Sequence, residues 1–235
     1  MTDRIAKRPL HVMLLVDCST SMRGERIAQV NRALRDVKRH LTDMQSENVN
    51  VDFFLTVITF STEARLLNND RCRAVDRFSF TDIRAGGWSN LHLAYVELAD
   101  LLKKQRQGGI MPDFGGVAPI LLLLTDGHPT KYPIRDELEA LRALPWFRAA
   151  LKYGIAIGLD DDRTMQTLRD FVDGNGDVVS CYDAGLLGRI IQIIVLTASK
   201  VSSQSSNIRN DKDESVVARV DQEVRCVLGE EDWEW

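Results

Sequence analysis

The sequence predicts an α/β fold: a doubly wound, mostly parallel β-sheet with helices on both faces. Two observations carry this prediction. Apolar runs of strand length recur along the chain, and the most apolar of them covers 119–125. Amphipathic helical patterns separate these runs, in the order typical of parallel strands joined by helices.

In the first half of the chain, each element has its own signature. Residues 12–16 form an unbroken apolar run, as in a buried parallel strand. Residues 24–44 place an apolar side chain at every third or fourth position, with Arg and Lys between them, which predicts an amphipathic helix. Residues 51–60 are rich in β-branched and aromatic types and predict a strand. Residues 68–84 carry turn signals and are expected to be irregular, whereas 91–102 repeat the helical period.

In the second half, the run at 119–125 predicts the central strand of the sheet. Residues 134–147 predict a helix, because acidic residues lie early in it, where the helix dipole favours them. The remaining predicted elements are strands at 153–159 and 178–179 and helices at 163–171 and 186–198.

The composition argues against several classes of protein. With a net charge of -4 and 44% hydrophobic residues, the chain lacks the basic balance of a nucleic-acid binder. No apolar run approaches the ~20 residues of a membrane helix, and Lys7, Arg8 and Pro9 interrupt the region where a signal peptide would lie. The four cysteines form no Cys-x-x-Cys pair, which favours reduced thiols in the cytosol. We therefore expect a cytoplasmic protein that binds neither nucleic acid nor membranes.

Changes in composition divide the chain into three parts. Residues 1–9 are expected to be an amino-terminal extension, and 10–200 a single domain. Residues 201–235 are expected to be a serine-rich linker followed by a flexible acidic tail. Two interpretations of the tail stay open: a disordered segment that aids solubility, or a docking segment anchored by Trp233 and Trp235.

An Asp-x-Ser-x-Ser motif directly follows the first predicted strand. Asp17, Ser19 and Ser21 alternate in sequence, so in a turning loop their side chains can point inward together. In an open α/β sheet, loops at the carboxyl ends of strands line the crevice where ligands bind. One carboxylate and two hydroxyls suit a hard cation, so the motif predicts a site for Mg²⁺, with Mn²⁺ or Ca²⁺ as alternatives.

Three stretches together resemble a known family. Asp17-x-Ser19-x-Ser21 is similar to the metal-ion-dependent adhesion site (MIDAS) of von Willebrand factor A domains, which have a Rossmann-like fold. Residues 86–91 resemble that family's glycine-glycine-threonine loop, and 121–127 resemble its strand ending in Thr-Asp-Gly. The sequence that flanks these motifs is most similar to that of bacterial, cytosolic TerY-type proteins linked to tellurium resistance. The resemblance also implies that 64–67 form a short antiparallel edge strand.

The resemblance implies a set of metal ligands. Ser19, Ser21 and Ser89 would bind the ion directly, while Asp17 and Asp126 would hold waters or coordinate it. Mg²⁺ prefers six oxygen ligands and keeps several waters, which leaves one position for a Glu or Asp of a partner protein. The sequence departs from the family where Trp88 follows the glycines in place of threonine, and Ser89 is then the nearest hydroxyl.

Each motif also has a plainer interpretation. The Asp17 motif is compatible with an N-cap before the first helix, and Ser89 with an ordinary helix cap. Asp126 with Gly127 is compatible with a simple turn. His128 is interpreted as an exposed loop histidine rather than as a catalytic group.

The leading functional hypothesis is a non-enzymatic, Mg²⁺-dependent protein-interaction module. The resemblance to TerY-type proteins implies that it works beside a protein kinase and a PP2C-like phosphatase in a stress, tellurium-resistance or defence system. One alternative is a scaffold that keeps the fold without the metal. Another is a metal-dependent phosphohydrolase. The haloacid-dehalogenase pattern of such enzymes needs a second Asp two residues after Asp17, where this sequence has Ser19. The sequence also contains no phosphate-binding glycine loop and no nucleophile elbow.

Overall fold

A computed structural model describes residues 7–47, 51–130, 134–158, 161–174, 176–204, 218 and 222–227. The strands are β1 (Arg8–Asp17), β2 (Val51–Phe60), β3 (Ala64–Leu66), β4 (Arg73–Ala74), β5 (Ile120–Thr125), β6 (Leu151–Ile157) and β7 (Gly176–Cys181). The helices are α1 (Glu25–Glu47), α2 (Leu91–Leu101), α3 (Arg135–Arg142), α4 (Pro145–Ala149), α5 (Asp162–Val172) and α6 (Ala184–Gln204).

The strands form one mixed sheet in the order β3-β2-β1-β5-β6-β7, with β4 also pairing with β2. Every pair among β2, β1, β5, β6 and β7 is parallel, whereas β3 and β4 run antiparallel to β2. The chain moves outward from β1 to β2 and then returns to place β5 on the other side of β1. The strand order therefore reverses between β1 and β5, and ligand crevices in open α/β sheets lie at such a reversal.

Helices cover both faces of the sheet, as predicted. Alternate residues of a strand point to opposite faces, so Leu14 and Val16 pack with α1 and α6, whereas Met13 and Leu15 pack with α2, α3, α4 and α5. β1 and β5 are buried along almost their whole length because neighbours cover them on both sides. These two rigid strands support the loops that follow them.

Several predicted boundaries differ from the structure. The helix expected over 134–147 is two helices, because Leu144 is extended before Pro145, which begins α4. The strand expected at 178–179 covers Gly176–Cys181. The irregular stretch at 68–84 contains the short strand β4 and two 3-10 turns. β1 begins inside the predicted amino-terminal extension.

The last helix corrects the predicted start of the linker. α6 continues to Gln204 rather than ending at 198, since no glycine or proline interrupts the sequence between Gly188 and Gln204. Beyond it, residues 222–227 are helical, and Val224 is buried in the same core as α1 and α6. The predicted acidic end at 230–235 lies outside the described residues. Among those that are described, no helix is both long and apolar enough to cross a membrane.

Candidate metal site

The candidate site lies where β1 and β5 end side by side. Val16 pairs with Leu124 in parallel register, so Asp17 and Thr125 leave the sheet at the same edge. After Asp17, a 3-10 turn at Thr20–Met22 and Gly24, with a φ of 79°, redirect the chain into α1. This tight turn folds the Ser19 and Ser21 side chains back over the strand ends.

Asp17 is the buried centre of the site, with no exposed surface. Its Oδ1 accepts a hydrogen bond from the Ser19 backbone N–H at 2.8 Å. Its Oδ2 accepts bonds from the hydroxyls of Ser89 at 3.0 Å and Thr125 at 2.7 Å. Asp17 thereby joins the loops after β1 and β5 to the loop before α2.

Opposing effects act on the charge of Asp17. Burial raises the pKa of this carboxyl, while the hydrogen bonds from the Ser19 backbone, Thr125, Ser19 and Ser89 lower it; burial is the larger effect. Among the described residues, no basic side chain contacts this carboxylate. A buried acid with hydroxyl and amide partners alone gains stability from a nearby cation.

A second chain of hydrogen bonds leads to Asp126. The Ser21 hydroxyl donates to Asp126 Oδ1 at 2.7 Å, and the hydroxyl oxygens of Ser19 and Ser21 are 3.1 Å apart. Arg26 Nη1 donates to Asp126 Oδ2 at 2.6 Å, so both oxygens of this buried carboxylate are engaged.

The third loop explains how the chain accommodates Trp88. Gly87 has a φ of 92°, and a Cβ there would lie 2.4 Å from Thr62 Oγ1, so only glycine fits. The Trp88 backbone N–H donates to the same Thr62 oxygen, while its side chain is 66% exposed. The tryptophan therefore lies at the surface of this loop, and the Ser89 hydroxyl bonds to Asp17.

Backbone bonds fix this third loop to the other two. The Gly86 N–H donates to the Cys18 carbonyl at 2.8 Å, and the Thr20 N–H donates to the Gly87 carbonyl at 3.0 Å. The Thr130 N–H donates to the Ser89 carbonyl at 2.8 Å. Three loops distant in sequence are thus tied into one surface at the carboxyl edge of the sheet.

The two helix-cap interpretations, for the Asp17 motif and for Ser89, do not describe the contacts of these residues. Ser19 makes no side-chain cap, and α1 begins several residues later, at Glu25. The residue preceding α2 is Asn90, and the Ser89 hydroxyl bonds to Asp17 instead of capping that helix. Cys18 points away from the cluster and donates from Sγ to the Phe60 carbonyl.

The structure brings together all five side chains predicted as ligands: Asp17, Ser19, Ser21, Ser89 and Asp126. Sequence reasoning assigned no role to Thr125 or Arg26. Thr125 is the first residue of the Thr-Asp-Gly motif, and its position at the end of a predicted strand could have indicated a role in the site. No sequence signal indicated a role for Arg26, because it resembles any other basic residue of an amphipathic helix.

His128 is exposed, as predicted for a loop histidine, and borders a cleft of about 380 Å³ with Arg163.

The donor set fits a small hard cation. The hydroxyls of Ser21 and Ser89 direct their protons toward Asp126 and Asp17, which leaves oxygen lone pairs free for an ion. Oxygen donors without sulfur or nitrogen suit Mg²⁺, Mn²⁺ or Ca²⁺. Among the described residues, no three His, Cys, Asp or Glu side chains form a metal-binding group, so an ion at this edge would depend on serine oxygens.

Comparison with family models matches residues 11–184 to the von Willebrand factor type A domain. The chain belongs to this family. The matched region contains every element of the candidate site, from β1 through the start of α6. Von Willebrand factor type A domains are a type of protein-interaction module and are generally not enzymes.

Curated relatives include much longer proteins of the same family. The inter-alpha-trypsin inhibitor heavy chain H1 of Sus scrofa is 29% identical over 196 residues, which cover 77% of this chain and 20% of that protein. The heavy chain H4 of Bos taurus is 28% identical over 135 residues, covering 54% of this chain and 14% of that protein. The chain thus spans about a fifth or less of the length of these relatives.

Solved structures share the fold. A von Willebrand factor type A protein from Catenulispora acidiphila superimposes with a TM-score of 0.60 at 16% identity, over 82% of this chain and 43% of that one. BatB from Bacteroides thetaiotaomicron superimposes with a TM-score of 0.54 at 13% identity, over 81% of this chain and 99% of that one. At these identities the likeness concerns the architecture of the von Willebrand factor type A domain alone.

Proposed function

We propose that this von Willebrand factor type A domain is a Mg²⁺-dependent protein-interaction module, with Mn²⁺ or Ca²⁺ as alternative ions. The observation that supports it best is the single hydrogen-bonded cluster joining Asp17, Ser19, Ser21, Ser89 and Asp126. Ser19, Ser21 and Ser89 would hold the ion, with Asp17 and Asp126 orienting the hydroxyls. A bound divalent ion supplies a Lewis-acidic position that accepts a carboxylate oxygen.

The ligand of the module is then a Glu or Asp side chain of a partner protein. Few protein oxygens surround the ion, so a position facing solvent stays available for that carboxylate. Trp88, 66% exposed on the neighbouring loop, provides an apolar contact beside it. Aromatic anchors next to a charged contact are typical of energetically important positions in protein interfaces.

We further propose a cytoplasmic, bacterial role in stress, tellurium resistance or defence, beside a protein kinase and a PP2C-like phosphatase. This setting is supported by the sequence around two of the motifs, which resembles that of TerY-type proteins: Ser-Met-Arg-Gly-Glu-Arg-Ile and Thr-Asp-Gly-His-Pro-Thr. Co-purification of kinase and phosphatase polypeptides from a bacterial lysate supports this setting, and their absence from the bound fraction argues against it.

The test of the module is a pull-down with wild type and Asp17→Asn, each in Mg²⁺ and in EDTA. Asp43→Asn, at an exposed position of α1, is the matched control. We expect a partner retained only by wild type and the control, and only with Mg²⁺. A partner retained equally by Asp17→Asn or in EDTA would favour a metal-free scaffold that binds through another surface.

A further inference from the structure

Arg26 occupies an unusual position for a cation. It is the second residue of α1, where a positive charge opposes the positive end of the helix dipole. Its Nη1 lies 2.6 Å from Asp126 Oδ2 and 3.2 Å from the Ser21 carbonyl oxygen. A Cβ at Gly158 would lie 3.2 Å from Arg26 Nε, so the glycine leaves room for the side chain. The guanidinium thus contacts the site through Nη1, while the Arg26 side chain stays 36% exposed to solvent.

The contact with Arg26 limits what Asp126 can do. Oδ1 accepts from the Ser21 hydroxyl and Oδ2 accepts from Arg26, and the Asp126 side chain is fully buried. A carboxylate fixed at both oxygens is poorly placed to turn one of them directly to an ion. Asp126 is therefore suited to act on an ion through the Ser21 hydroxyl, as a positioning residue.

Arg26 also changes the charge that an incoming ion meets. Asp17 and Asp126 contribute two negative charges and Arg26 one positive charge, so the site carries -1 instead of -2. A divalent ion then leaves an excess of +1, which one added carboxylate neutralises. Since the two aspartates are buried, these charges interact more strongly than they would in water.

We propose that Arg26 is an internal counter-cation that weakens the site's own hold on a divalent ion and makes tight binding depend on a carboxylate from the partner. This inference rests on the proposed metal site and concerns its selectivity. Ion and carboxylate then bind cooperatively, each raising the affinity for the other. A partner without an acidic side chain gains nothing from the ion.

The test is a calorimetric titration of the full chain with MgCl₂, comparing wild type, Arg26→Gln and Arg26→Lys. Arg32→Gln is the control, because Arg32 lies on the same helix in an exposed pair with Glu25. We expect Arg26→Gln to bind Mg²⁺ about tenfold or more tightly than wild type. Arg26→Lys keeps the charge and Arg32→Gln leaves the site intact, so both are expected to stay close to wild type.

Thermal melting with and without Mg²⁺ distinguishes the effect of the Arg26 charge from the effect of losing its side-chain contacts. Without metal, Arg26→Gln is expected to melt at a lower temperature than wild type, because buried Asp126 loses its cationic partner. Mg²⁺ should then raise its melting temperature by more than it raises that of wild type. Replacing chloride by acetate, a carboxylate probe, should tighten Mg²⁺ binding more in wild type than in Arg26→Gln.

The outcomes distinguish this inference from the metal site itself. If wild type binds Mg²⁺ and Arg26→Gln binds it equally or more weakly, the counter-cation role is wrong while the metal site stands. If acetate affects both proteins alike, the dependence on a carboxylate is wrong. If neither protein binds Mg²⁺, both the metal site and the role of Arg26 are overturned, whereas binding by Arg26→Gln alone supports the role of Arg26.

Discussion

The hydroxyl of Thr125, at the end of β5, donates a 2.7 Å hydrogen bond to Asp17 Oδ2, at the end of neighbouring β1. The same oxygen atom of Thr125 accepts from the Gly127 N–H at 3.2 Å. One buried threonine thus orients the central carboxylate and the turn that carries Asp126. This bond ties the two loops at the strand reversal together.

Replacing Thr125 with valine keeps its shape and removes this bond. We expect Thr125→Val to lower the free energy of unfolding by about 1–2 kcal/mol, because buried Asp17 loses a hydrogen-bond donor. Urea denaturation in EDTA measures the change. Thr59→Val is the control, since the Thr59 hydroxyl bonds to Arg65 at the edge of the sheet and its loss should cost less. Equal losses in the two variants would contradict the role assigned to Thr125.

Gly87 and Gly108 allow a paired test of the loop that carries Ser89. Both have positive φ, 92° and 86°, but a Cβ at Gly87 would lie 2.4 Å from Thr62 Oγ1, whereas nothing lies within 4 Å at Gly108. Both alanine variants should lose about 1 kcal/mol of stability from backbone strain. We expect Gly87→Ala alone to weaken Mg²⁺ binding, because its loop must shift. Mg²⁺ affinities that fall equally in both variants would show that strain, not the clash, is responsible.

His11 predicts a loss of stability in acid. It is 4% exposed in β1, and burial lowers its pKa from the ordinary 6.5 to about 4. The unfolded chain therefore takes up a proton that the folded chain refuses between these values, and stability falls as the pH drops from 6.5 to 4. The expected loss is about 3 kcal/mol at most.

The variant His11→Leu removes this titrating group and keeps an apolar side chain of similar bulk beside Phe54. Chemical denaturation of both proteins at pH 7 and pH 4.5 measures the effect. The variant should lose less stability over this interval than wild type does. A loss of the same size would mean that His11 contributes nothing to the acid sensitivity.

Tyr95 is a buried residue whose hydroxyl should be removable without loss of stability. Its ring stacks on Phe171 with centroids 5.9 Å apart, and its hydroxyl is buried without a hydrogen-bond partner among the described residues. Removing an unpaired buried hydroxyl costs little or stabilises. We therefore expect Tyr95→Phe to match or exceed the thermal stability of wild type in a calorimetric scan. A clear decrease would reveal a partner for this hydroxyl, such as a buried water.

The sequence predicted the architecture because the signals that define it are local. Apolar runs marked the strands, and the run at 119–125, predicted as the central strand, forms β5 in the middle of the sheet. Element ends were less predictable: the helix over 134–147 divides at Pro145, and α6 passes through residues that read as a linker. Backbone sterics at Pro145 set the first boundary, whereas α6 continues because no glycine or proline interrupts it before Gln204.

The candidate site was predictable only as far as its residues resemble a motif. Ser89 was selected as the nearest hydroxyl after Trp88, because Ser89-Asn90-Leu91 continues the motif into its helix, and its hydroxyl lies 3.0 Å from Asp17 Oδ2. Arg26 was not predictable, since its partner Asp126 is far away in sequence and only the strand order brings them together. The charge of the site, unlike its ligands, is therefore a property of the tertiary structure.

The most direct test of the metal site is a crystal grown with Mn²⁺ and measured for its anomalous signal. We predict a peak bounded by the hydroxyl oxygens of Ser19, Ser21 and Ser89, at the distances of about 2.0–2.6 Å that hard divalent ions keep from oxygen. The peak should disappear in Asp17→Asn. An ordered loop cluster without a peak at saturating Mn²⁺, or a peak held by other residues, would contradict the metal site.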